Sequence, residues 1–156
     1  MKTIKILSLL CVVLLVSSCK QNNWLDWKTQ NELWLEQNTQ REGVITTPTG
    51  LQYKCIFAGH PTSARPDDAK MVEIQYSGKL INGYQFDASD EYVGYVNSFV
   101  AGFSEGLKKM NEFGIYECYI PYDLGYGIDG TGTEGTSSYI PPYSTLIFYV
   151  ELKDVL

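Results

Sequence analysis

Hydrophobic and polar positions alternate with a period of two over four stretches of the chain. In "LQYKCIF" (residues 51–57), Leu51, Tyr53, Cys55 and Phe57 oppose Gln52 and Lys54. In "KMVEIQYSGKL" (70–80), Val72, Ile74 and Tyr76 oppose Glu73 and Gln75, and "GIYECYIP" (114–121) alternates up to Pro121. In residues 144–152, Leu146, Phe148, Val150 and Leu152 oppose Thr145 and Glu151. Each is the pattern of a half-buried strand. Asn-Gly in "INGYQFD" (81–87) marks a hairpin after the second of them. Two segments have a helical period instead. Phe103, Leu107 and Met110 fall at i, i+4 and i+7, a short amphipathic helix. Trp24, Trp27, Trp34 and Leu35 share one side of a helix from residue 22 to about 38, in which Asn31 interrupts the stripe. "REGVITTPTG" (41–50) ends that helix with Gly43, Pro48 and Gly50. Antiparallel strands with one short helix among them predict an α+β domain, a sheet wrapped over the helix, preceded by a short N-terminal helix.

The first eighteen residues have a different character. Lys2 and Lys5 precede the apolar run "ILSLLCVVLLV", too short for a comfortable membrane span, and "VSSC" ends it at Cys19. Small residues before a cysteine resemble the lipobox of bacterial lipoproteins. That resemblance implies a signal peptide over 1–18, with Cys19 as the lipidated N-terminus; the plainer alternative is a secretory leader and an unmodified Cys19. Residues 19–49 then form a linker and the amphipathic helix, and 50–156 the main domain.

The chain carries 12 basic and 18 acidic residues. Loss of the leader removes two lysines, which leaves about −8, so nothing suggests a nucleic-acid partner. Cys55 and Cys118 have no metal or redox spacing, no His/Cys cluster has the spacing of a metal site, and no cofactor is expected. "GFSEG" (102–106) fits a hydrolase nucleophile elbow, but the sole histidine, His60, lies upstream in a Gly-Pro loop. Ser104 reads instead as a helix N-cap. "IDGTGTEG" (128–135) lacks the start of a calcium loop and reads as a flexible surface loop.

Aromatic and aliphatic residues gather at loop–strand junctions, and Asp87 directly follows Phe86, so an acid sits against an apolar cluster. An apolar pocket with one or two fixed polar groups is a binding-site profile. The segments "VEIQYSGKLINGYQFDAS", "FVAGFSEGLKKM", "YIPYDLGYG" and "YIPPYSTLIFYVELKDV" occur in that order. Together they resemble the signature segments of FKBP-type peptidyl-prolyl cis-trans isomerases, over roughly residues 50–156. The junction "NELWLEQNTQREGVITTPTGLQY" is similar to that of members of the macrophage-infectivity-potentiator type, with a shorter preceding helix.

The resemblance implies a catalytic set of Asp87, Tyr126 and Phe86. It implies a substrate pocket of Tyr76, Val100, Phe103, Ile140 and Phe148. Phe103 stands at the floor, where the family often has tryptophan, and Phe99 is bulkier than the usual aliphatic. Whether Tyr95 supplies an aromatic wall is left open. Pro141 and Pro142 stiffen the chain beside Ile140. The implied activity is isomerisation of X–Pro bonds in cell-envelope proteins; the alternative is a non-catalytic chaperone or binding module of the same fold. The implied partners are proline-containing polypeptides and a membrane reached through Cys19. The expected place is the bacterial envelope, at the outer membrane, on its periplasmic or surface face. A monomer is favoured, with a dimer second.

Overall fold

The strand that ends the chain is the centre of the sheet. The computed structural model describes residues 24–156, so the leader and Cys19 lie outside the described residues. Helix α1 spans Trp24–Asn38, β1 Val44–Thr46, β2 Gln52–Phe57, β3 Met71–Lys79 and β4 Gln85–Tyr95. Helix α2 follows at Ala101–Leu107, then β5 at Ile115–Ile120 and β6 at Leu146–Val155. The strands form one antiparallel sheet in the order β1-β2-β5-β6-β3-β4. This is the α+β arrangement that the alternation predicts.

One face of the sheet carries the core. Leu146, Val150 and Leu152 of β6 are wholly buried, as are Val72 and Ile74 of β3 and Cys118 and Ile120 of β5. Helix α2 closes this face with Phe103 and Leu107, and Met110 follows just after it. Gly102 and Gly106 explain how a helix comes so close. A Cβ on Gly106 would stand 2.6 Å from Cys118 Sγ, and one on Gly102 would run into the Ile120 side chain. The two glycines of "GFSEG" are therefore a docking surface for β5, without any nucleophile elbow.

Ser104 corrects an expectation. Val100 holds the N-cap position, and Ser104 sits inside α2, buried, with its hydroxyl donating to Val96 O at 2.6 Å. Its small side chain lets a hydroxyl reach back to the preceding turn, where a larger residue would meet the chain. The two remaining cysteines are free thiols: Cys118 is buried under α2 and Cys55 is exposed.

The opposite face is polar in sequence but partly covered in space. Gln52 and Tyr119 are paired across β2 and β5 and are almost fully buried, because α1 lies over them. Gln52 Nε2 donates to Leu35 O at 3.0 Å, Asn38 Nδ2 donates to Gln52 Oε1 at 2.8 Å, and Trp34 packs on the Tyr119 ring. The docking face of α1 is thus Trp27, Asn31, Trp34 and Asn38. Asn31 does not interrupt it: it is fully buried, accepting from Thr145 N–H at 2.7 Å and donating to Trp27 O at 2.8 Å. Trp27 Nε1 donates to Ser144 Oγ at 3.0 Å. These bonds also explain why β6 starts at Leu146 and not at residue 144, since the backbone N–H of Thr145 is given to the helix.

Candidate functional site

Two irregularities in β4 build the site. Between the pairs Gly78↔Asp87 and Lys79↔Gln85 the register shifts, so Phe86 is a bulged residue. A bulge re-aims side chains locally. Here it lets neighbours share one side: Phe86 is buried in the core, while the exposed Asp87 still lines the concave surface. Gly78 makes the room, since a Cβ there would stand 2.6 Å from the Phe86 ring and 2.9 Å from that of Phe148. A second shift, between Ile74 and Tyr76, changes the parity of the following part of β4.

The pocket has an aromatic floor. Phe103 is 2 % exposed and lies 4.6 Å from Phe148, 5.0 Å from Phe99 and 6.1 Å from Tyr76, ring centre to ring centre. These rings, with Val100, Ser98, Asp87 and Tyr126, line a cavity of about 220 Å³. At its rim the Tyr76 hydroxyl donates to Asp87 Oδ2 at 2.8 Å. Burial, then the bond to Asp87, raises the Tyr76 hydroxyl well above the ordinary tyrosine value. Tyr126 is raised too, by burial first and the Asp87 charge second. Both hydroxyls therefore stay protonated as hydrogen-bond donors at neutral pH. The site offers shape, apolar surface and directed donors.

Of the sequence-predicted residues, Tyr76, Asp87, Val100, Phe103, Tyr126 and Phe148 come together in this pocket. Phe86 and Ile140 do not line it. They form an adjoining concavity of about 310 Å³, which shares Asp87, Tyr126 and Phe148 with the first. Ile140 is held by both backbone bonds of a bridge to Thr131, each 2.9 Å. The open question at Tyr95 resolves toward another residue: Tyr95 is 51 % exposed, whereas the Tyr92 ring lies 5.5 Å from Phe99 and 6.1 Å from Tyr76. Sequence alternation could not select Tyr92, because the bulge before it breaks the parity. Ser98 was missed as well; nothing in its local pattern marks it. Among the described residues no group of His, Cys, Asp and Glu could hold a metal ion.

An antiparallel sheet over a short helix, with an aromatic-floored pocket between them, defines a class of α+β folds. The sequence places the chain within it: residues 62–153 match the FKBP-type peptidyl-prolyl cis-trans isomerase family, and residues 18–55 match the domain amino terminal to such isomerases. The chain belongs to the FKBP-type peptidyl-prolyl cis-trans isomerase family. It is 39 % identical over 127 residues to the FKBP-type 22 kDa peptidyl-prolyl cis-trans isomerase of Escherichia coli, covering 79 % of this chain and 58 % of that one. With the outer membrane protein MIP of Legionella longbeachae it shares 33 % identity over 132 residues, 82 % of this chain and 54 % of the other. The crystal structure of FkpA from Escherichia coli superposes with a TM-score of 0.77 at 34 % identity, over 84 % of this chain and 60 % of that chain. The chain spans about half the length of the curated relatives it matches.

Proposed function

We propose that this protein is a peptidyl-prolyl cis-trans isomerase acting on proline-containing polypeptides of the bacterial cell envelope. The observation that carries this reading is the aromatic cluster of Tyr76, Phe99, Phe103 and Phe148 that lines the pocket, with the Tyr76–Asp87 hydrogen bond at its rim. The reaction breaks no bond. Amide resonance sets a barrier of ~18–20 kcal/mol, while the two X–Pro ground states differ by only about 0.5–1 kcal/mol. The catalyst must bind the twisted amide better than either planar form. Twisting removes resonance and its charge separation, so an apolar floor favours the twisted state relative to water. In this reading Phe103, Phe148 and Val100 hold the proline ring, with Phe86 behind them. The Tyr126 hydroxyl and the Val100 N–H hold the peptide backbone, and Asp87 orients Tyr76 or meets the substrate directly. Ile140 forms the wall beside Phe86.

The test is X–Pro exchange in short peptides with the purified protein. Acceleration is expected, strongest with an apolar residue before proline. Asp87→Ala should cut turnover with the fold intact, and Tyr126→Phe should weaken binding. An exchange rate that stays spontaneous across the peptide set would sink the isomerase reading. One observation favours the binding-module alternative: Phe99 packs edge-to-face 5.0 Å from Phe103, and the cavity, about 220 Å³, lies below the roughly 300 Å³ at which ligand pockets usually begin. Peptide binding without turnover is its signature.

The address belongs to the same proposal. Cys19 is taken as the lipidated N-terminus after removal of residues 1–18, and the protein as a monomer held to the membrane by that lipid, facing the periplasm or the surface. The name of the Legionella relative, an outer membrane protein, supports the envelope. Labelling cells with a fatty-acid probe decides the anchor: wild type should carry the label and Cys19→Ala should not.

A further inference from the structure

Among the described residues, only Phe113 and Tyr143 hold a left-handed backbone without being glycine. Tyr143 has φ +60° and follows Pro141 and Pro142, whose rings keep φ negative. The chain turns at Tyr143 to enter β6 at Leu146. A proline followed by a residue at positive φ is the pattern of a type II turn, in which glycine or asparagine ordinarily takes the second of these places. A tyrosine there is strained by its Cβ, and such strain persists only where the surroundings over-determine it.

Those surroundings are the segment that carries Tyr126. The Tyr143 N–H donates to Gly127 O at 3.0 Å, and the Gly127 N–H donates to Tyr122 O at 2.7 Å. The Tyr143 ring meets the Tyr122 ring edge to face, 5.3 Å between centres. Residues 122–127 are thereby gripped at both ends, by a ring at Tyr122 and by the backbone at Gly127, with Tyr126 between them. Tyr126 is 40 % exposed, so its hydroxyl depends on the backbone beneath it for its place at the pocket. Helix α1 braces the same turn from outside. Lys28 Nζ stands over the Tyr143 ring, 5.7 Å from its centre, as a cation over an aromatic face. Trp27 Nε1 donates to Ser144 Oγ at 3.0 Å, and Ser144 Oγ donates on to Pro141 O at 2.7 Å.

We infer that Tyr143 is a positioning residue: its ring and its left-handed backbone fix residues 122–127 and so set where the Tyr126 hydroxyl meets the substrate. The inference rests on the isomerase reading, in which Tyr126 holds the peptide backbone. Glycine would make the same turn without strain, but it would leave Tyr122 nothing to pack against and Lys28 no ring to cover. That is the reason for a tyrosine in a place that favours glycine.

The experiment is a double-substitution cycle, read as X–Pro exchange in Leu-Pro peptides with the purified protein. Tyr143→Asn keeps a residue suited to positive φ and removes the ring. It should raise KM by about three- to ten-fold with kcat little changed, the size of one misplaced neutral hydrogen bond. In a Tyr126→Phe background the hydroxyl is already gone, and the same substitution should add less than about two-fold. Tyr143→Phe keeps the ring and should retain the wild-type KM. Equal losses in both backgrounds overturn the inference, because a merely structural role would scale the two alike. A Tyr143→Phe variant as impaired as Tyr143→Asn overturns it too. If Tyr143→Asn does not fold, Tyr122→Leu removes the partner of the ring and enters the same cycle with the same expectations. Anisotropy titration of a labelled Leu-Pro peptide repeats the cycle in Kd and separates this inference from the isomerase reading. Turnover with additive losses sinks the role of Tyr143 alone. Non-additive Kd values without turnover sink the isomerase reading and uphold Tyr143 as the residue that positions Tyr126.

Discussion

Asn31 is polar, lies on the buried side of α1, and has no exposed surface. Its two hydrogen bonds account for that placement. It supplies the acceptor for Thr145 N–H just where the chain enters β6, a backbone donor that water cannot reach. A buried N–H left without an acceptor costs about 1–3 kcal/mol. Asn31→Ala should therefore lower the melting temperature by roughly 2–12 °C, at about 2–4 °C per kcal/mol for a chain of this size. Short-peptide isomerase activity should stay near wild type, since α1 contributes nothing to the pocket lining. A melting temperature that does not move would mean that Asn31 does not carry the helix–sheet junction.

At the scale of elements, the contact between α2 and β5 sets how deeply Phe103 is planted. Alanine normally improves a helix interior over glycine by about 1 kcal/mol. At Gly106 that gain meets Cys118 Sγ, which a Cβ would approach to 2.6 Å. Overpacking of a dense core costs typically about 1–3 kcal/mol, so Gly106→Ala should destabilise the wild type. In a Cys118→Ala background the obstructing sulfur is gone, and the same substitution should stabilise. Denaturant unfolding of the four proteins in this cycle checks the reversal of sign. Additive effects would mean that α2 and β5 have slack between them.

Across the whole molecule, the buried hydroxyls and the buried thiol share one sense of titration. Cys118 is pushed from 9.0 up to about 12, by burial first and then by the charges of Glu105 and Glu117. Burial also raises Tyr116 to about 12, with a hydrogen bond to Cys55 as the second cause. Tyr76, Tyr119 and Tyr126 are raised in the same direction, burial being the largest cause for each. All these groups lose a proton more readily in the unfolded chain. Above about pH 9 the unfolded state binds fewer protons than the folded one, so stability must fall as pH rises. It is fully present below that point. The melting temperature should thus be insensitive to these groups near neutrality and decline from pH 9 onward, with Cys118→Ala delaying the onset toward 10, the ordinary tyrosine value. A midpoint constant up to pH 11 would contradict the burial of Cys118, Tyr116 and Tyr119.

The sequence by itself determined the strands at Val72, Ile74, Cys118, Leu146 and Val150, because alternation reports burial wherever a strand has one dry face and regular register. It also determined the family, through four segments in order, and with it most of the pocket: Phe103, Phe148, Tyr76 and Asp87 lie where a fixed backbone puts them. Only the tertiary structure decided what depends on broken register or on a second layer. The bulge at Phe86 turned consecutive residues to one side, and the shift before Tyr92 set that ring, not Tyr95, against Phe99 and Tyr76 behind the pocket lining. Ile140 went to a neighbouring concavity because Thr131, nine residues earlier, pairs with it across a loop whose closure no local pattern announces. Asn31, Asn38 and Gln52 read as surface residues, since hydropathy records what a side chain is and not which partner it meets. They are buried because each finds its hydrogen bonds in an element distant in the chain, and a satisfied polar group can be buried at little cost.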